Sequence, residues 1–381
     1  MVIRLRAILN VFRPISRTVR SPAPQPEAVL ANFSGEEGNM KMMNRLSAAL
    51  LGVLGALAAM GDVAPVSAAD IEWRTHLVWV PTRQEAQAVT TLAERINART
   101  GDKFQMTVFP GGSLGIKDPD MLRILPPGNV IQATMISTNY VARDSPELAY
   151  ALPEGVLQTM EDFATIRPTL EQVYAKEFEK FGIKVLNILL PPDRTMDVFC
   201  KMPVNTLEEL RTKKLRVWGA FLVDAFAEVG VSATVIPQND MYMALQTGVV
   251  DCATYYPGPA NTLSLQEVTP YWSNIANYAA TLVFIVSQSA WDKLPADVQT
   301  IITEESDKLA KELIANFLRG DYDKAQGDKF NAAGGKQLEP FPAEDREAFY
   351  QAALSIWERD ATQKGGDMAT NRETLLQALQ D

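Results

Sequence analysis

The sequence predicts a two-lobed α/β protein with a cleft between hinged lobes. Two observations carry this expectation. Strand and helix patterns alternate at the spacing of right-handed βαβ units, and the alternation restarts near Pro192 before a strand pattern, "ATLVFIVSQSAW", returns to the first set. A chain that leaves one α/β unit, builds another and comes back crosses twice between them, which favours a hinged pair with a ligand cleft. Length and composition allow it. The 381 residues suffice for two ordinary domains, and 47% hydrophobic with 22% charged residues describes a globular chain. A net charge of −10 argues against a nucleic-acid surface.

The N-terminal part divides before the fold begins. Residues 40–69 carry Lys41 and Arg45, then a small apolar run, then "VSAA" before Asp70, the pattern of a secretory signal peptide cleaved after Ala68 or Ala69. The run is shorter than the roughly 20 residues of a membrane span. Residues 1–39, including "RSPAPQPEAVLANFSGEEGN", suit no fold and read as untranslated or disordered, with translation starting at Met40, Met42 or Met43. The exported part is acidic and not membrane-spanning. Export permits a disulfide, for which Cys200 and Cys252 are the two candidates; their spacing leaves pairing open.

In the first lobe, expected over 70–191 and 281–320, "IEWRTHLVWV" is a strand and "EAQAVTTLAERINART" a helix stopped by glycine. "FQMTVFPGGSLG" is a strand broken by a Gly-rich turn, "DPDMLRILPPGN" a short helix and "VIQATMISTNYV" a third strand. A helix and strand follow over 161–191. These units predict a mostly parallel sheet. In the second lobe, expected over 192–280 and 321–381, "DRTMDVFCKMPV", "KLRVWG", "ATVIP" and "VVDCATYY" read as strands. "AFLVDAFAEVG" and "NDMYMALQTG" read as helices between them. Residues 294–335 read as one long helical stretch, followed by two C-terminal helices.

No enzyme emerges from the motifs. His76 is the sole histidine, and there is no CxxC, HExxH or phosphate loop. "FPGGSLG" lacks the spacing of a nucleotide loop, and acidic pairs such as Glu208–Glu209 fall on solvated helix faces. No motif calls for a cofactor; a metal ion bridging ligand and protein is left open without support.

What remains is arginine. Arg216 sits between Leu215 and Val217 in a short buried strand, where a guanidinium that cannot shed its charge requires an anion. That anion is either an internal Asp or Glu or a bound ligand. Arg194, in "PPDRTMD", lies where the chain enters the same lobe; two arginines facing one cleft fit a carboxylate. A purely structural role would leave both capped internally. Gln238, Tyr255 and Tyr256 lie at carboxyl ends of strands, where α/β sheets place ligands.

"FPGGSLG", "NTLEELRTKKLRV", "PQNDMYMALQTGVVDCA" and "SQSAWDKLPADVQTII" together resemble the periplasmic solute-binding proteins of TRAP transporters, of DctP type, across nearly all of residues 70–370. The resemblance implies the periplasmic-binding-protein (flytrap) fold, with a long helix spanning both lobes and closure on an organic acid. Delivery would be to TRAP permease subunits in the membrane, and the protein would lie in the periplasm. It also implies that Arg216 salt-bridges the ligand carboxylate, that Arg194 assists, and that first-lobe contacts come from His76, Trp79, Ser137 and Thr138. Trp218 would line the pocket. Tyr255 stands where the family often has Asn, and Cys252 where it has Gly. The aromatic lining leans towards a 2-oxo, 2-hydroxy or aromatic monocarboxylate. A C4-dicarboxylate would need a further cation, for which Arg74 and Arg83 are the candidates. A sensory binding protein presenting the same ligand to a membrane kinase would carry the same sequence features.

Overall fold

Alternation sets the first strand. In Ile71–His76 (β1), Trp73 and Thr75 are buried while Glu72 and Arg74 face outward. The computed structural model describes residues 69–380 apart from 192 and 279, so the expected leader and the segment before it lie outside the described residues. After β1 come helix Gln84–Thr100 (α1), strands Phe104–Phe109 (β2) and Ala133–Ser137 (β3), helix Met160–Glu179 (α2) and strand Ile183–Leu189 (β4). Helix α2 opens on a reciprocal cap, in which Thr159 Oγ1 accepts from the Asp162 N–H and Asp162 Oδ2 accepts from the Thr159 N–H.

The chain then crosses and builds Thr195–Cys200 (β5), Leu215–Val217 (β6), Ala220–Glu228 (α3), Ala233–Val235 (β7) and Gln238–Thr247 (α4). Cys252–Tyr255 (β8), Pro257–Thr262 (α5) and Tyr271–Asn277 (β9) complete this part. It returns as Leu282–Ser287 (β10), then Ala296–Arg319 (α6), Asp321–Ala332 (α7), Lys336–Gln337 (β11), Ala343–Lys364 (α8) and Gly366–Ala378 (α9).

Two sheets result, ordered β2-β1-β3-β10-β4 and β11-β9-β5-β8-β6-β7. Neither is purely parallel. β10 runs antiparallel to β3 and β4, and β5 antiparallel to β8 and β9, while β1 with β2 and β3, and β6 with β7 and β8, are parallel. These are the two strands that arrive from the other lobe. Entering from the hinge, each runs against the strands its own sheet winds locally. Strand β9, "YWSNIAN", escapes the sequence reading because its polar residues break the strand pattern.

The expected helix over 294–335 is two helices. Gly320 takes φ +69°, a left-handed conformation that ends α6 and starts α7. Helix α6 packs on α1 and β4 of the first sheet, and α7 on α5 beside the second. The connection between lobes is therefore a broken helix. The terminal helices, expected with the second lobe, touch both sides, α8 packing on α3 and β9 and α9 on α2. Beneath them, Phe163 and Ile188 join Val198, Phe226 and Phe349 in one apolar cluster running under both sheets. Cys200 and Cys252 face each other across β5 and β8 and form a disulfide, with Cα atoms 4.2 Å apart.

Candidate ligand-binding site

Strand β6 has three residues, and its middle one is Arg216, paired with Thr234 of β7 and Ala253 of β8. The side chain is 1% exposed. Its Nε donates to Ile236 O at 2.8 Å and its Nη1 to Thr254 O at 3.2 Å, and the guanidinium lies 5.7 Å from the centre of the Tyr255 ring. No acidic side chain among the described residues pairs with it. Burial lowers its pKa from the ordinary arginine value, opposed only by the phenols of Tyr255, Tyr140 and Tyr256. The guanidinium is thus a buried cation held by two carbonyl dipoles, without a carboxylate counter-ion among the described residues.

Arg216 lines a cleft between the sheets whose cavity volume is about 40 Å³. The second lobe contributes an aromatic wall. Tyr255 and Tyr256 have ring centres 5.0 Å apart, Tyr256 and Tyr278 are 6.0 Å apart, and Tyr278 and Trp218 are 5.2 Å apart. The first lobe contributes Trp79, Glu85, Ser137, Asn139 and Tyr140. Trp79 is placed by the glycine turn after β2, where the Gly111 N–H donates to Trp79 O at 2.7 Å and Gly112 to Leu77 O at 2.9 Å. Both glycines have positive φ, +70° and +67°. Burial pushes the Tyr140 hydroxyl up to about 12 and also raises Tyr255 and Tyr256, so the phenols stay neutral donors. Below the wall, the Trp218 indole N–H donates to Glu154 Oε1 at 2.8 Å, and Asn139 donates to the same oxygen.

A second buried arginine closes one end. Arg83, in the loop before α1, is 2% exposed and forms a two-point pair with Glu85, Nε to Oε2 at 2.9 Å and Nη2 to Oε1. Its Nη1 crosses to the other lobe, donating to Gln238 Oε1 at 2.8 Å and Tyr255 Oη at 2.9 Å. Burial works against its charge, but Glu85 and the phenols of Tyr255 and Tyr256 outweigh it and raise its pKa. Beyond Arg83 lies a separate polar hollow of about 180 Å³ containing Asp193 and Tyr322.

The structure brings Arg216, Trp218, Gln238, Tyr255, Tyr256, Trp79 and Ser137 to the same cleft region, and leaves three expected residues out of its lining. Arg194 does not face the cleft. Its N–H donates to the Asp323 carboxylate at 3.1 and 3.2 Å, its Nη1 to Leu318 O at 3.3 Å, and its guanidinium packs where a Cβ on Gly320 would sit. It knots the crossovers together, capped internally. His76 is fully buried behind the cleft, its Nε2 3.9 Å from Asp118. That distance is too long for a hydrogen bond, and burial lowers the His76 pKa while raising Asp118 to about 7, so the neutral pair is favoured. Thr138 turns to the Tyr174 hydroxyl, 3.4 Å away. Arg74 sits on the outer face against Phe109. The sequence reading missed Glu85, Asn139, Tyr140 and Tyr278. Only "STNY", directly after a strand, gave a local signal.

Two α/β lobes crossed by the chain at a hinge, with an uncompensated cation in the cleft between them, define a solute-binding protein. The chain belongs to the DctP family, bacterial extracellular solute-binding protein family 7, whose sequence model matches residues 76–364. This is the family of TRAP-transporter binding proteins, a transport component and not an enzyme class. The chain is 24% identical over 311 residues, 77% of its length and 80% of the relative's, to a monocarboxylate 2-oxoacid-binding periplasmic protein of Nostoc sp.. It resembles an extracytoplasmic solute receptor of Bordetella pertussis binding pyroglutamic acid, with TM-score 0.73 and 17% identity over 81% of this chain and 99% of that one. A TRAP solute-binding protein of Desulfovibrio salexigens with bound orotic acid gives TM-score 0.69 and 20% identity over 81% and 99%. These structures share the fold. No helix among the described residues is long and apolar enough to cross a membrane.

Proposed function

We propose that this protein captures a small monocarboxylate, of 2-oxo, 2-hydroxy or aromatic type, in the Arg216 cleft and presents it to a TRAP permease. The reading places it in the periplasm, exported by residues 40–69. One observation carries it, the burial of Arg216 without a carboxylate partner. The planar fork offers a carboxylate parallel hydrogen bonds. The neutral phenols of Tyr140 and Tyr256 can donate to an oxygen on the neighbouring carbon, while Tyr255 donates to Gln238 Oε1, and the aromatic wall accepts a less polar body. The 2-oxoacid ligand named for the Nostoc relative supports the class. Capture occurs by closure, driven by the contacts that Trp79, Ser137 and Tyr140 of the first lobe make with a ligand already seated on the second.

A thermal-shift screen of the purified protein against small organic acids tests this. A monocarboxylate of these types raises the melting temperature by mass action, and Arg216→Ala and Arg216→Lys both lose the shift. A shift retained in both variants, or produced only by neutral solutes, overturns the reading.

A further inference from the structure

Among the described residues Arg83 and Arg216 are the two buried arginines, and Tyr255 separates them, Arg216 beside its ring and Arg83 at its hydroxyl. A ligand with carboxylates at both ends would find one cation at Arg216 and the other only at Arg83. Glu85 lies between Arg83 and that use. It lines the cleft, is itself 4% exposed, and pairs with Arg83 at two points. We propose that Glu85 is a specificity-determining residue, which cancels the charge of Arg83 and so makes this site refuse a second carboxylate. The inference rests on the monocarboxylate reading above and gives it a physical cause.

The geometry separates this role from simple fastening. Arg83 is already held by Gln238 and Tyr255, 2.8 and 2.9 Å from its Nη1. It has anchors in the opposite lobe without Glu85. What Glu85 adds is one negative charge in a region from which water is excluded, where charge balance is felt strongly. With Glu85 present, a monoanion at Arg216 leaves the cleft balanced and a dianion leaves it one charge in excess. Replacing the carboxylate by an amide reverses the preference, because Arg83 then lacks its counter-ion.

The test uses ligand pairs matched in length, 2-oxovalerate against 2-oxoglutarate and butyrate against succinate, titrated calorimetrically into the native protein and Glu85→Gln. The native protein is expected to prefer the monocarboxylate of a pair. Glu85→Gln shifts the ratio of the two affinities towards the dicarboxylate at least tenfold. A fastening role alone weakens both acids together and leaves the ratio in place, which overturns the inference.

Breaking a buried pair can prevent folding, so a second comparison stands beside the first. Arg83→Met leaves the Glu85 carboxylate alone at the cleft and weakens the monocarboxylate at least tenfold. Arg83→Met with Glu85→Leu removes both charges and recovers most of that loss. A double variant no better than the single one also overturns the inference. If the native protein binds no monocarboxylate of either pair and none from the wider screen, it is the functional reading that fails. Native binding with an unmoved ratio in Glu85→Gln sinks the Glu85 role alone.

Discussion

Arg83 and Arg216 are the same residue type, equally buried, on opposite sides of one tyrosine, and they do different work. Arg83 is balanced by Glu85 and fastened across the cleft. Arg216 has carbonyls and rings around it but no negative charge. The first arrangement leaves no charge uncompensated, whereas the second leaves a buried cation without a counter-ion. Burial alone therefore says little about a charged side chain; its neighbours' formal charge decides. The comparison breaks most sharply in urea denaturation without ligand. Arg83→Ala leaves Glu85 buried and alone and should lose about 3–5 kcal/mol, whereas Arg216→Met should be neutral or gain about 1–2 kcal/mol. If both variants lose stability alike, Arg216 has an internal partner and the contrast fails.

The acidic side sharpens the contrast through pH. On β5, burial holds Asp197 up at about 7, against hydrogen bonds from Thr195 and Asn274, and beside Arg194 burial raises Asp323 to about 6. Burial also raises Asp193. A carboxyl whose folded pKa exceeds its unfolded value near 3.8 binds more protons in the folded state. Its stabilisation is full at low pH and is lost as pH rises from about 4 to about 7. His76 works the other way, since its lowered pKa removes stability as pH falls below 6.5. The carboxyls outnumber it. The protein should be more stable at pH 5.5 than at pH 8 by about 1–3 kcal/mol, and Asp197→Asn should flatten that slope. Stability that rises over the same interval would show these carboxyls to be ionised in the fold.

How much of this could be read in the sequence differs between the two arginines for a physical reason. Arg216 announces itself because a charge interrupts an apolar strand and the conflict is local. Tyr255, Tyr256 and Gln238 follow from the rule that ligands sit at carboxyl ends of strands, and the alternation of strands and helices gives the two lobes. Arg83 and Glu85 lie in "PTRQE", an ordinary approach to a helix with an acid in its first turn. Nothing there shows that Arg83 will meet Gln238, 155 positions away, or Tyr255, 172 positions away. Arg194 misled for the complementary reason. Its capping partner, Asp323, is 129 positions distant, just past the Gly320 break in what reads as one continuous helix. Partner identity is a tertiary fact.

A second tie across the cleft gives the smallest expected effect and the finest test. On the side away from Arg83, the Trp218 indole donates to Glu154 Oε1 at 2.8 Å, joining the second lobe to the segment before α2. Burial raises the Glu154 pKa, and the hydrogen bonds from Trp218 and Asn139 oppose the shift. Trp218→Phe keeps an aromatic face towards Tyr278, whose ring centre lies 5.2 Å away, but removes that donor. One hydrogen bond to a buried carboxyl is worth about 1–3 kcal/mol, part of which Asn139 still supplies. The variant should therefore bind its acid about three- to tenfold more weakly, measured by titration calorimetry, through faster release, since the lost contact bridges the two lobes. An affinity that falls as far as in Arg216→Ala would mean that Trp218, and not the guanidinium, anchors the ligand. An unchanged affinity would mean that Arg83 alone fastens the lobes.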